Sequence, residues 1–396
     1  MRFEIQLPDN KSLRIRELIW SWVRRGEVLP ISTDDCRDIV ITHRALTTIS
    51  TSVDTRFIAY LQSPVTIDVE DCGAAYRFLL PILAATSRKW LLTGTPRLLQ
   101  RPIMPLVEAL RGIGADIERV EKGWLITGMK CRPVETQNFA SLQIDASHSS
   151  QLASALVLAA PLLNLKTLRL TTTDIPSMSY LRMTLVCTHD WPVTIPGVEV
   201  PETPIGTSGD WSAALFWFAY ARLHPEHTVA LSPLSVESIQ GDAIIYQWFK
   251  MLNMSISING SNIEISAKPL KTMPHLVLDV RDNLDTVPVM ASLAALLPAD
   301  ITFQNVRNLQ YKESDRLNAL ATQLRPYADI EIADNELHVV GNGHPLVARA
   351  EFDTLHDHRL AMAFLLFPNA ELNDTDCLRK SYPNLMSQLR QIGKRQ

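Results

Sequence analysis

Five consecutive polar residues, Lys312-Glu313-Ser314-Asp315-Arg316, interrupt a chain that is 46% hydrophobic and 20% charged. A second charged group, Asp357-His358-Arg359, lies between Leu355 and an apolar segment, where charge is costly unless it is used. Other basic residues stand within a turn of expected helix starts. They are Lys11-Ser12 with Arg16, Arg77 after Asp71-Cys72-Gly73, and Arg101 before Pro102. Gly73 allows close backbone approach to a ligand. Ser149-Ser150-Gln151 offers two hydroxyls and an amide at one helix start, and Arg379-Lys380 precedes the last helix. Lysine and arginine at such positions suit a phosphate or carboxylate ligand. Each group also has a plainer reading. Ser12, Ser150, Asp210, Asp285 and Asp357 can be N-caps, the best reading for Asp210, and the basic groups can be solvated faces.

The elements that must position these residues repeat. A polar start followed by a helix of small and apolar residues recurs six times: at Lys11-Ser12, Asp71-Cys72-Gly73, Ser149-Ser150-Gln151, Gly209-Asp210, Leu284-Asp285-Thr286 and Asp357-His358-Arg359. The separations are about 60 to 80 residues, too long for a solenoid. Several copies continue into a second helix and a hairpin. Arg101 to Gly114 reads as an amphipathic helix, followed by strands 116–120 and 124–126 across Lys122-Gly123. Helix 243–252 precedes strands 254–258 and 263–265 across Asn259-Gly260, and helix 315–325 precedes strands 330–332 and 337–340 across Asp334-Asn335. Six α/β units divide into two domains of three: residues 8–204, and residues 1–7 with 205–396. The boundary lies in the proline-rich stretch 196–204, and the strand Phe3 to Leu7 closes the second domain. A helix N-terminus carries free N–H groups and partial positive charge, so converging termini attract anions.

Bulk properties narrow the partners. The net charge is −4, which gives no basic excess for nucleic acid or an anionic membrane. The longest apolar run, 153–163, is too short to span a bilayer, and 1–7 has no apolar stretch of signal-peptide length. The five cysteines (Cys36, Cys72, Cys131, Cys187, Cys377) form no CxxC pair, so free thiols in a reducing compartment are expected rather than a disulfide framework or a zinc site. A soluble cytoplasmic protein follows.

The ordered motifs resemble the 5-enolpyruvylshikimate-3-phosphate synthase family over nearly the whole length. Leu7 to Ser12 with Arg16 is similar to the family's LPGSKS and following arginine. The stretch 71–77 is similar to NAGTAxR, 92–103 to LTGxxRxxxRPI, and 145–151 to DGSxSSQ. Ser177 to Tyr180 is similar to SxxY, Asn308 with 312–316 to an asparagine followed by KETDR, 357–362 to DHRMAM, and 380–383 to KTFP. The resemblance implies an α/β fold of two domains, an inside-out α/β barrel of six βαβαββ units with helix N-termini facing an interdomain cleft. It implies enolpyruvyl transfer from phosphoenolpyruvate to shikimate 3-phosphate, with no cofactor, no metal and no macromolecular partner, by a monomer.

By the same resemblance, shikimate 3-phosphate is held by Lys11, Ser12, Arg16, Ser149, Ser150, Gln151, Ser177, Tyr180, Asp285, Asn308 and Lys312. Phosphoenolpyruvate is held by Lys11, Gly73, Arg77, Arg101, Gln151, Arg316, Arg359 and Lys380. The two ligands bring two phosphates and two carboxylates, which explains so many cations. Addition followed by elimination needs a base near the hydroxyl and an acid near the methylene. Asp285 with Lys312 is assigned to the hydroxyl and Glu313 to the methylene, with Lys11 and Lys380 stabilising departing phosphate and His358 a lesser acid/base candidate. The sequence departs from the family pattern at Asp9-Asn10, Asp71, Ala74 and Phe78. Two rivals remain: a non-catalytic descendant, and a UDP-N-acetylglucosamine enolpyruvyl transferase, whose loop cysteine has no counterpart in Pro102 to Pro105.

Overall fold

The computed structural model describes residues 1–53, 63–129, 141–201, 209–270, 272–343 and 349–393. The chain forms two compact units, Lys11–Pro204 and Met1–Asn10 with Ile205–Gln396, each with its own core. Residues 8–10, expected in the N-terminal domain, belong instead with 205–396. Asp9 bridges Gly209, and Asn10 Nδ2 donates to Gln240 Oε1 at 2.8 Å. Cys131 and the linker 202–208 lie outside the described residues, and the other four cysteines are free thiols.

Six helices carry the polar starts: α1 (Lys11–Arg25), α2 (Gly73–Ala84), α3 (Ser150–Leu158), α4 (Trp211–Leu223), α5 (Val287–Leu296) and α6 (His358–Phe364). Helices α4, α5 and α6 are buried at nearly every position, and α2 and α3 at all but one. A helix that is apolar all round must sit inside. In one unit α2 packs on α3 with α1 against both, and in the other α5 packs on α6 and on α4.

The strands cover these helices. They are β1 (Arg2–Gln6), β2 (Val65–Asp68), β3 (Trp90–Thr93), β4 (Ala115–Val120), β5 (Gly123–Met129), β6 (Ser141–Ile144), β7 (Thr167–Leu170) and β8 (Thr228–Ser232). The remainder are β9 (Met254–Asn259), β10 (Asn262–Ala267), β11 (His275–Asp279), β12 (Asp300–Gln304), β13 (Ala328–Ala333), β14 (Glu336–Gly341), β15 (Ala350–Phe352) and β16 (Ala370–Leu372). Three sheets share one plan: β2-β3-β5-β4, β1-β8-β10-β9 and β11-β12-β14-β13 each have a parallel pair followed by an antiparallel hairpin. β6-β7 and β15-β16 are parallel pairs alone. Parallel neighbours need a crossover, and α2, α3, α5 and α6 each supply one. The exception is β1, whose parallel partner β8 follows α4. Strands such as β1 and β14 alternate buried and exposed residues, so one sheet face meets the helices.

Four expectations about these elements need correction. The turn expected on Lys122-Gly123 falls on Glu121-Lys122, because Val120 pairs with Gly123. Arg101 to Gly114 is not one helix. Arg101 ends the short helix Pro96–Gln100 in an extended conformation, and a new helix runs Met104–Gly112. Pro102 biases Arg101 away from helical angles. The helix expected over 243–252 is a 3-10 turn, Gly241–Ile244, leading into Ile245–Met251. Its hairpin turns on Gly260-Ser261, because Asn259 pairs with Asn262. Asp334-Asn335 does form the expected turn, both residues having positive φ.

Gly123, which opens β5, has φ +148°, and a Cβ there would lie 2.1 Å from the Leu92 carbonyl oxygen. Gly123→Ala should cost about 2 kcal/mol or more, seen as a lower urea midpoint. An unchanged midpoint would contradict this packing.

Candidate active site

In the unit containing 205–396, one guanidinium gathers the acidic residues. Arg316 opens the helix Arg316–Leu324 and is 1% exposed. Its Nε donates to Asp357 Oδ2 at 2.8 Å, and its Nη2 to Asp357 Oδ1 at 3.1 Å. Nη1 donates to Asp285 Oδ1 and Nη2 to Glu313 Oε2, both at 2.8 Å. Asp357 is the N-cap of α6, accepting from Arg359 N at 2.9 Å, and also accepts from Ser314 Oγ at 2.9 Å. One carboxylate thus caps a helix and neutralises a buried arginine.

Asp285 is not an N-cap. It lies in the 3-10 turn Leu284–Thr286, just before α5, and its side chain remains 26% exposed. Lys312 Nζ donates to Oδ1 at 2.9 Å, and Arg359 Nη2 lies 3.8 Å from Oδ2. Burial pushes the Asp285 carboxyl up, but Lys312, Arg316 and Arg359 together hold it well below the usual carboxylate range, while Glu313 opposes them. Burial pulls Arg316 and Arg359 down, yet the surrounding carboxylates more than restore both. Asp285, Lys312 and Glu313 are partly exposed around this buried base. Asn308 lies in the 3-10 turn Arg307–Tyr311 that ends at Lys312.

A polar layer supports Arg359 from α4. Arg359 Nη1 donates to the Ser212 carbonyl at 3.3 Å. Ser212 Oγ donates to Asp242, and Gln240 Nε2 donates to Ser212 Oγ at 3.1 Å and to Asp210 Oδ1 at 2.8 Å. Asp210 caps α4 through Ser212 N, as its position suggests. Burial and the negative charges of Asp285 and Asp210 push Asp242 up to about 7, against Arg359 and the Ser212 hydroxyl. Nothing in the reading of motifs marked Asp242 or Gln240; the only signal is a polar Gln-Gly-Asp between apolar stretches. His358 is buried, with Nδ1 3.9 Å from Asp357 Oδ1. Lys380, expected in an exposed basic pair, is buried at 2% exposure in the 3-10 turn Asp376–Lys380. The fully buried Leu378 and Tyr382 draw this turn onto the core, and the chain between them follows.

In the unit Lys11–Pro204, the cations gather at helix starts. Lys11 is the first residue of α1, and its Nζ meets Asp38 Oδ2 at 3.0 Å. Ser12, expected as an N-cap, is instead the second residue of α1, and its carbonyl accepts from Arg16 Nη1 at 2.7 Å. Arg16 also donates to Thr184 Oγ1 at 2.7 Å and the Tyr180 carbonyl at 3.1 Å, and lies over the rings of Phe78 and Tyr180. Burial lowers Arg16 to about 10, still charged at neutral pH. Arg77 Nη1 donates to Gln151 Oε1 at 2.7 Å, and its Nε and Nη2 each donate to the Pro102 carbonyl at 3.2 Å. Arg101 is buried against Gly73, where a Cβ would lie 2.5 Å from Nη1. Cys72, rather than Asp71, caps α2, its Sγ accepting from Ala75 N at 3.4 Å. Ser149 caps α3, with Ser150 buried behind it, and Ser177 precedes the helix Met178–Cys187 in a left-handed conformation.

The structure therefore brings Asp285, Lys312, Glu313, Arg316 and Arg359 into one cluster. It brings Arg77 to Gln151, Arg101 to Gly73, and Arg16 to Ser12 and Tyr180. Each unit alone gathers cations able to bind anions, and in the 205–396 unit partly exposed carboxylates stand beside them.

Asp357→Asn removes half of a buried ion pair and should cost about 3 kcal/mol in urea unfolding. A cost below about 1 kcal/mol would show that Arg316 does not depend on it. Asp242 is protonated in the folded chain at pH values where the unfolded chain has ionised it. Unfolding there releases a proton, so rising pH favours unfolding. From pH 5 to 7 the protein should lose about 2 kcal/mol relative to Asp242→Asn. Parallel stability profiles would contradict the raised pKa.

The chain is similar to known proteins over nearly its whole length. A family model described as EPSP synthase (3-phosphoshikimate 1-carboxyvinyltransferase) matches residues 2–389. A 3-phosphoshikimate 1-carboxyvinyltransferase of Bacteroides fragilis is 30% identical over 408 residues, covering 98% of this chain and 95% of the relative. One from Mannheimia haemolytica is 27% identical, covering 99% and 97%. The solved structure of an EPSP synthase from Acinetobacter baumannii shares the fold at TM-score 0.67 and 19% identity, covering 98% and 95%. With the family model spanning nearly every residue, the chain belongs to the EPSP synthase family.

Proposed function

We propose that the protein transfers the enolpyruvyl group of phosphoenolpyruvate to the 5-hydroxyl of shikimate 3-phosphate, releasing phosphate. Family membership supports the reaction, and the relatives are named for it. One observation carries the chemical reading: Asp285 and Glu313 share the buried guanidinium of Arg316, with Lys312 on Asp285. This gives two carboxylates, rigidly spaced, beside a lysine.

In the first step Glu313, entering protonated, delivers its proton to the methylene carbon of phosphoenolpyruvate and is left as a carboxylate facing Arg316. The acceptor oxygen bonds to the adjacent carbon, and the hydroxyl proton passes to Asp285, whose carboxylate Lys312 holds in place. Asp285 is held ionised, which makes it a weak base but a constant acceptor. The hydroxyl grows acidic as its oxygen bonds to carbon, so its proton transfers late. In the second step Glu313 takes a proton back from the new methyl group, and phosphate leaves with the electron pair of its C–O bond, the proton held by Asp285 passing to it or to solvent. Lys11 and Lys380 favour that departure by charge. Shikimate 3-phosphate is assigned to Lys11, Ser12, Arg16, Ser149, Ser150, Gln151, Ser177, Tyr180, Asp285, Asn308 and Lys312. Phosphoenolpyruvate is assigned to Lys11, Gly73, Arg77, Arg101, Gln151, Arg316, Arg359 and Lys380, with His358 a lesser acid/base group. Among the described residues no helix is long and apolar enough to cross a membrane. We take the protein to act in the cytoplasm as a monomer on these two small anions.

Phosphate release that requires both substrates tests the reading; release with neither acceptor, shikimate 3-phosphate nor UDP-N-acetylglucosamine, from folded protein would overturn it. Glu313→Gln and Asp285→Asn should each lower turnover by about a thousandfold or more while largely keeping ligand affinity. Near-normal turnover in either variant would remove that residue from the mechanism.

A further inference from the structure

Far from these carboxylates in sequence, the turn His224-Pro225-Glu226-His227 joins α4 to β8. Among the described residues it holds the one group of three side chains whose donor atoms, two imidazole nitrogens and a carboxylate oxygen, all lie within 4.8 Å of one another. Glu226 Oε1 is 3.3 Å from His224 Nδ1 and 3.5 Å from His227 Nε2. Zinc binds such atoms at about 2.0–2.2 Å, and a tetrahedron of that size spaces neighbouring donors about 3.4 Å apart.

The donors are oriented in advance. His227 is buried, and its other ring nitrogen, Nδ1, is 3.0 Å from the Tyr220 hydroxyl, leaving Nε2 to face Glu226. A partner on the second nitrogen fixes tautomer and ring orientation in metal sites. Phe3 packs edge-on against His227 at 4.9 Å, and Tyr220 lies over His224 at 4.3 Å. His224 and Glu226 are partly or fully exposed, so a metal could enter from solvent and water could complete its shell. The cysteine spacing that argued against a zinc site has no bearing on these donors.

We propose that His224, Glu226 and His227 form a surface site for a zinc-class divalent cation. The Met1 amine donates to the Glu226 carbonyl at 2.7 Å, and Thr228 N donates to the Met1 carbonyl at 2.8 Å. A bound ion would therefore brace the turn to which the start of β1 is hydrogen-bonded, in the sheet β1-β8-β10-β9.

The test is a zinc titration of full-length, EDTA-stripped protein against a chromophoric indicator, with circular dichroism as the folding control. The protein should bind one zinc per chain at this site, and its melting temperature should rise with added zinc. His224→Ala and Glu226→Gln, both at exposed or half-exposed positions, should each weaken binding about tenfold or more and abolish the melting shift. Tyr220→Phe, which keeps every donor, should weaken binding about tenfold. Undiminished affinity in either His224→Ala or Glu226→Gln, or no saturable binding by the parent, would overturn the proposal.

Discussion

Arg316 places a permanent positive charge inside a hydrocarbon core. Such a charge is tolerable only when its fork of N–H donors is fully matched. Three carboxylates from three segments do this: Asp357 bidentately, Asp285 and Glu313 singly. Each is thereby fixed in position without being consumed, since a carboxylate has lone pairs for further partners. Of the arginine's partners Asp357 is wholly buried, while Asp285 and Glu313 keep an open side.

The architecture explains why such a base exists. Five of the six repeated helices are too apolar to face water, so each unit turns them inward and covers them with sheets. Within each unit caps and charged side chains collect where these helices begin. Asp210, Asp357 and Ser149 cap their helices and so tie local helix stability to the position of the half-site. The layer of Gln240, Ser212 and Asp242 beneath Arg359 extends the same logic one shell deeper.

Much of this was legible in the sequence. Asp210 and Asp357 cap their helices as local rules suggest, and Asp334-Asn335 turns where its residue types demand, while the turn expected on Asn259-Gly260 lies one residue on. The six-fold repeat gave the two-part plan, and the ordered motifs gave the family. What escaped depends on contacts distant in sequence. Asp38 meets Lys11, and Asp242 meets Ser212, across separations that no motif spans. Lys380 is drawn inside by flanking Leu378 and Tyr382, against the usual rule for a basic pair. Asp285 looked like a cap because of where it stands, yet charge pairing with Lys312 and Arg316 decides its role. The break at Arg101 was readable from Pro102, but periodicity over the following residues masked it.

The most direct measurement is phosphorus and proton NMR of the protein incubated with equimolar shikimate 3-phosphate and phosphoenolpyruvate. The account predicts that each acceptor consumed yields one inorganic phosphate and one enol ether, seen as new vinyl protons on a product that keeps its 3-phosphate. Phosphate appearing without that enol ether, or both substrates persisting beside folded protein, would contradict it.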